Sequence, residues 1–141
     1  KLADWIGSQV GLLADAPMLV LVFATATLII FLTELTSNTA TSAMVMPILS
    51  AVAIGLGQSP LLLVVPAAIA ASCAFMLPVA TPPNAIVFGS GYVTIPQMVR
   101  SGIGLNIIGI VLVVVLTYAL AIPTFDIVIG EVPAWATAVA K

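Results

Sequence analysis

Long apolar runs interrupted by two short polar clusters, Thr36-Ser37-Asn38-Thr39 and Thr81-Pro82-Pro83-Asn84, set the pattern of this chain. Ala16 to about Thr33 is one helix-length apolar run. Thr39 to Leu56 is a second, closed by Gly55 and Gly57. After Gln58-Ser59-Pro60 a third run extends from Leu61 to about Leu77. Pro78 and the Thr81-Pro82-Pro83 stretch must stop it, because proline lacks an amide donor and clashes with a carbonyl of the preceding turn. From Asn84 a helix can restart and reach about Gly91. Neither half alone crosses about 30 Å of hydrocarbon, whereas the broken pair can. The final run, from about Pro96 to Ile122, is an uninterrupted span. The pattern therefore predicts an all-α membrane protein with an interfacial lead-in over 1–15 and a helical hairpin over 16–57. A broken transmembrane helix over 61–93, a last transmembrane helix over 96–122 and an extramembrane tail over 123–141 follow, with Trp5 and Trp135 as interface anchors.

The first pair of runs fits two full spans or a re-entrant hairpin whose tip stops near the midplane. Arm length favours full spans, since each arm nears the roughly 20 residues needed to cross. The turn, however, gathers Thr33, Glu34, Thr36, Ser37, Asn38, Thr39, Thr41 and Ser42, more polarity than a lipid-facing turn needs. The re-entrant hairpin is the expected form.

Composition agrees with a bilayer setting. The 141 residues are 62% hydrophobic and 6% charged, and no Asp, Glu, Lys, Arg or His lies between Glu34 and Arg100. Mean hydropathy is +1.33. A net charge of −2 without any basic run excludes a nucleic-acid partner. Cys73, the single cysteine, sits in an apolar run as a small hydrophobe. The N-terminal residues lack a signal-peptide pattern, and the chain starts without methionine, as though cut from something longer. Arg100 lies opposite both termini in this layout, so the positive-inside rule puts it in the cytoplasm and the termini outside.

Unwound backbone at membrane depth is tolerated only where protein buries it or it lines a cavity, so two such breaks point to a binding site. A helix starting at Ser37-Asn38-Thr39 offers amide donors and the positive end of its dipole to an anion without any lysine or arginine. The arm ending at Thr33 presents unpaired carbonyls, suited to a small hard cation. At the second break Thr81 is held extended by the following proline. Pro82 and Pro83 suit a first helical turn, the carbonyls of Val79 and Ala80 are left free, and Asn84 can bridge the two segments. The competing interpretation is that the Ser, Thr and Asn residues are interhelical glue and the prolines mere kinks. Two breaks of the same grammar argue against it. Glu34, the one charge at membrane depth, is expected to shape the hairpin tip through water or hydrogen bonds and not to touch an anion that it would repel. Gly89, Gly91, Gly102, Gly104 and Gly109 are expected to permit close helix packing.

Thr33-Glu34-Leu35-Thr36-Ser37-Asn38-Thr39-Ala40-Thr41 resembles the second Ser-Asn-Thr signature of the divalent anion/sodium symporter (DASS) family. Ala80-Thr81-Pro82-Pro83-Asn84-Ala85-Ile86-Val87-Phe88-Gly89-Ser90-Gly91 resembles its Thr-Pro-Pro-Asn loop. The likeness runs from roughly Trp5 to Phe125 and covers only the C-terminal inverted repeat of such a protein, expected as a bacterial inner-membrane symporter. It implies a sodium site built from Thr33, Thr36, Asn38 and Ala80, and a substrate carboxylate held by Ser37, Asn38, Thr39, Thr81 and Pro82. It further implies sodium-coupled transport of a dicarboxylate, citrate or sulfate, with a C4 dicarboxylate such as succinate preferred, by an elevator mechanism. The partners implied are the missing N-terminal repeat and, in the complete protein, a second copy in a homodimer. The rival class is a membrane-embedded assembly or channel subunit. An enzyme is not expected, since there is no histidine and no second membrane acid to pair with Glu34.

Overall fold

The computed structural model describes residues 16–138, and every regular element among them is helical. The expected lead-in over 1–15 lies outside the described residues. α1 (Met18–Thr33) begins behind Pro17, and a four-residue turn, Glu34 to Ser37, leads into α2 (Asn38–Gly55). α3 (Leu61–Ala70) and α4 (Pro82–Gly89) follow. α5 (Ile95–Leu116) starts where Thr94 donates its N–H to the Gln97 side chain at 2.9 Å, and it continues through a π turn, Thr117–Ala121, into Ile122–Thr124. α6 (Ala134–Ala138) is a final short turn.

The core lies between α1, α3 and α5. Ala26, Ile29 and Ile30 pack against Ala67, Ala70 and Ala71 at the end of α3 and against Ile110 and Val113 of α5. The alanines let these helices approach closely, as small residues do in membranes. A second cluster of Val22, Ala53, Leu63 and Val114 ties α2 on. Outward-facing residues are just as apolar: Leu19, Leu28, Ile107, Val111 and Val115 are all exposed. Helices apolar on both faces are solvated by lipid or by further protein. By length and composition α2 and the continuous rod Ile95–Thr124 can each cross a membrane. α1, with 16 residues, is about 24 Å long, short of the roughly 30 Å of hydrocarbon.

The third apolar run departs from expectation. Its helix ends at Ala70 instead of near Leu77, and the chain stays non-helical until Pro82. The prolines do not begin this unwinding, since Pro78 lies eight residues beyond the last helical one. Instead, the amides of Phe75, Met76 and Leu77 donate to the Glu34 carboxylate, which replaces the carbonyls a continuing helix would have used. α5 passes directly against this unwound stretch at Gly102, where a Cβ would meet the Phe75 carbonyl and, at 2.6 Å, the Met76 Cα. Of the five glycines expected at packing contacts, only Gly102 and Gly109 are close to neighbours; a Cβ at Gly109 would lie 3.5 Å from that of Cys73, an ordinary contact. Gly89, Gly91 and Gly104 meet nothing within 4 Å. After α5 the tail folds back, and Gly130 N–H donates to the Gln58 side chain at 2.8 Å, beside the turn that joins α2 to α3.

Gly102→Ala in the full-length protein should therefore destabilise the fold by about 1–3 kcal/mol, the usual cost of overpacking. Gly104→Ala, at an open position of the same helix, should be neutral or stabilising by about 0.5–1 kcal/mol. Equilibrium unfolding of the detergent-solubilised protein checks both, and equal behaviour of the two variants would contradict the close approach at Gly102.

Candidate binding site

Both polar clusters become helix starts of the same design. Ser37 and Thr81 are extended in backbone, and each side-chain oxygen accepts the amide three residues on: Ala40 N–H for Ser37 and Asn84 N–H for Thr81, both at 3.4 Å. An acceptor at the N-cap satisfies one of the unpaired amides of a helix start and leaves the hydroxyl proton free to donate. The two starts then differ. α2 opens with Asn38 and Thr39, which carry amides, whereas α4 opens with Pro82 and Pro83, which have none.

The fold brings these starts together. A cleft of about 460 Å³ is lined by Ser37, Asn38 and Thr39 on one side and by Ala80, Thr81 and Pro82 on the other, with Pro78, Val79 and Ala85 completing it. All five residues expected at a substrate carboxylate line this cleft. Of the four expected around sodium, Asn38 and Ala80 line it and Thr33 and Thr36 do not. Thr33 is fully buried, and its hydroxyl donates back to the carbonyls of Ile29 and Ile30, each at 3.0 Å. The Thr36 hydroxyl bonds the Leu32 carbonyl and the Thr41 hydroxyl, each at 2.7 Å. Both hydroxyls spend their protons within the hairpin, so any share they have in a cation site is through oxygen lone pairs or the main-chain carbonyls.

Asn38 Oδ1 is buried and has no hydrogen-bond partner. An unsatisfied buried acceptor is costly and calls for a partner, whether water, an ion, a ligand or another segment of protein. Among the described residues, the carbonyls of Val79 and Ala80 accept no hydrogen bond either. The residues lining the cleft thus include two with unpaired main-chain carbonyls, Val79 and Ala80, beside helix-start amides and hydroxyls that suit an anion. No group of three or more His, Cys, Asp and Glu residues gathers among the described residues, so a transition-metal centre has no ligand set there.

Behind the cleft lies the polar support. Glu34 is 3% exposed, and its carboxylate accepts from Phe75 N at 2.8 Å, from Met76 N at 2.9 and 3.1 Å and from Leu77 N at 3.0 Å. Asn106 of α5, fully buried, donates its Nδ2 to the same carboxylate at 2.7 Å and accepts from Phe75 N at 3.1 Å. Glu34 is thus hydrogen-bonded, as expected, but buried and turned to the unwound segment, away from the cleft. No local motif in the sequence marks Asn106. A lone asparagine amid the apolar residues of a spanning helix was the available signal, since such a group must find a partner in the bundle. Asn84 bridges as expected, donating its Nδ2 to the carbonyls of Ala74 and Leu77, each at 3.0 Å.

Comparison with known proteins agrees with this geometry. Residues 1–125 match the model of the sodium:sulfate symporter transmembrane region. The sodium-dependent dicarboxylate transporter SdcS of Staphylococcus saprophyticus is 48% identical over 126 residues, which cover 89% of this chain and 24% of that protein. SdcS of Staphylococcus aureus strain USA300 is 46% identical over 117 residues, 83% of this chain and 22% of that protein. The chain thus spans about a quarter of the length of these curated relatives. Helices apolar inside and out, two breaks of one design meeting at one cleft, and a match over residues 1–125 together make this chain a member of the sodium:sulfate (divalent anion/sodium) symporter family, an integral-membrane family whose relatives reported above are bacterial transporters.

Proposed function

We propose that this chain is the part of the C-terminal repeat that carries the binding site in a sodium-coupled carrier of a divalent anion, a C4 dicarboxylate such as succinate, and not a full half of it, since it spans about a quarter of its relatives' length. The observation that carries the proposal is the cleft in which Ser37-Asn38-Thr39 faces Ala80-Thr81-Pro82, with the Asn38 oxygen buried and unpartnered beside them. Polar residues serving only as interhelical glue would have satisfied that oxygen. The names of the staphylococcal relatives, sodium-dependent dicarboxylate transporters, support the choice of ion and substrate.

In this reading sodium takes Asn38 Oδ1 together with main-chain oxygens of Thr33, Thr36 and Ala80. The substrate carboxylate meets the α2 amides and the hydroxyls of Ser37, Thr39 and Thr81, with the Pro82 ring against it. A dianion has no cationic side chain here, so it needs the sodium charge close by, and binding of the anion follows binding of sodium. The second carboxylate and a second sodium site belong to the N-terminal repeat of the complete protein.

The re-entrant form of the hairpin is supported by depth. Asn106, the partner of Glu34, lies eleven residues into the spanning rod, about 17 Å from its start. A tip bonded at that height sits near mid-membrane. Movement of hairpin, broken helix and cleft as one body would then carry the site across the bilayer as an elevator, against a scaffold and homodimer interface supplied mainly by the rest of the protein.

Three outcomes are expected of the full-length transporter. Ser37→Cys in a Cys73→Ser background should react with small water-soluble thiol reagents and be protected by sodium plus dicarboxylate; free labelling by a bulky impermeant reagent in every state would instead indicate two full spans. Asn38→Ala should weaken sodium activation and substrate binding together, and wild-type sodium activation curves would remove Asn38 from the ion site. Thr81→Val should lose about ten- to a hundredfold in dicarboxylate affinity, the worth of one hydrogen bond to a charged group, while Thr81→Ser retains most of it. Equal affinities of the Val and Ser variants at saturating sodium would reduce the second break to a structural kink.

A further inference from the structure

Glu34 stands at the junction of both sides of the cleft without lining it. It precedes Asn38 by four residues along the hairpin turn, and its last partner, Leu77, precedes Ala80 by three. Each edge of the cleft is thus tied to one carboxylate by a short length of backbone. Among the described residues the carboxylate has no cationic partner. Its two oxygens are taken up by the amides of residues 75–77 and by the Asn106 side chain. An anion so fully occupied has no lone pair aimed at the cleft, so it can reach a bound ion only through the backbone it holds. Asn106 adds a third element, joining the carboxylate and Phe75 N–H to the middle of α5.

We propose that Glu34 is a positioning residue that sets the sodium affinity of the cleft, by clasping the hairpin turn and the unwound segment 75–77 at a fixed separation, with Asn106 locking that clasp to α5. The proposal rests on the reading that the cleft takes sodium with its anion. A small cation needs its oxygens at defined distances, and Asn38 and Ala80 come from opposite edges, so any freedom between the edges lowers ion affinity before it lowers anything else. Glu34→Gln keeps the size but turns an N–H₂ group towards the amides of Met76 and Leu77, setting donor against donor. Asn106→Ala is the milder change, because the three backbone amides keep the carboxylate in place.

The test uses the full-length transporter in liposomes and reads dicarboxylate uptake against sodium concentration. Glu34→Gln should raise the half-saturating sodium concentration by about tenfold or more, with most of the maximal rate recovered when sodium is saturating. Asn106→Ala should raise it by a smaller factor, about threefold, and the double variant should be no worse than Glu34→Gln alone, since both act on one network. A second measurement does not depend on transport: spin labels at Leu35 and Val79, which are 73% and 75% exposed, in a Cys73→Ser background. Without sodium their distance distribution should be broader in the Glu34→Gln protein than in the parent, and added sodium should narrow it. An unchanged half-saturating sodium concentration with only yield or maximal rate reduced would overturn the proposal and leave Glu34 a purely structural residue. A distribution as narrow in the variant as in the parent would overturn it as well. A parent protein without sodium-activated uptake would overturn the transport reading instead, while the label distances still decide whether the clasp exists.

Discussion

The Glu34 carboxylate and the unwound backbone at residues 75–77 each solve a problem the other poses. A buried carboxylate with no partner would cost several kcal/mol at membrane depth, and so would three amides without acceptors. Together they form a closed set, in which the charge is spread over the N–H groups of Phe75, Met76 and Leu77 and the Asn106 amide. α3 ends early because its continuation is used in this way, and α4 starts afresh beside the hairpin turn. α5 is shaped for the same contact. Gly102 and Asn106 are one turn apart on it, the first giving room for the Phe75 and Met76 backbone and the second binding it.

The cleft follows from that arrangement. Among the described residues the single basic side chain is Arg100, near the start of α5, and it does not line the cleft. Favourable charge must come from helix starts, hydroxyls and any ion bound alongside. The two starts are not equivalent. α2 contributes amides and the positive end of a long helix, while α4, with prolines at its first two positions, contributes the Thr81 hydroxyl and an apolar ring. Such a site is weakly attractive to an anion by itself and much more so beside a cation, which is the physical basis of the coupling proposed above.

Much of this was legible in the residues. The polar clusters stand out against apolar surroundings, and Ser37 and Thr81 are recognisable N-caps because their side chains compete for backbone amides only where a helix begins. α1, α2 and the long rod from Ile95 show as apolar runs of helical length. Asn84 was expected to bridge because an amide next to freed carbonyls has something to bond. The end of α3 was not legible: Ala71 to Leu77 are apolar residues that would sit equally well in a continuing helix, and the residue that unwinds them is some forty positions away in the chain. Asn106 was hidden for the same reason, since it does not declare its partner locally, and Gly102 was expected at a close contact but without the partner it meets.

The sequence by itself determined the solvent, the helices and the two places where helices had to start, because hydropathy, proline and capping act through neighbours in the chain. Tertiary structure alone decided that the two starts line one cleft, that the Asn38 oxygen is buried without a partner, and that Glu34 holds the unwound backbone instead of lining the cleft. Those outcomes depend on which donors and acceptors meet across long separations. A buried charge, unable to reach water, takes whatever partners the packing of α1, α3 and α5 delivers.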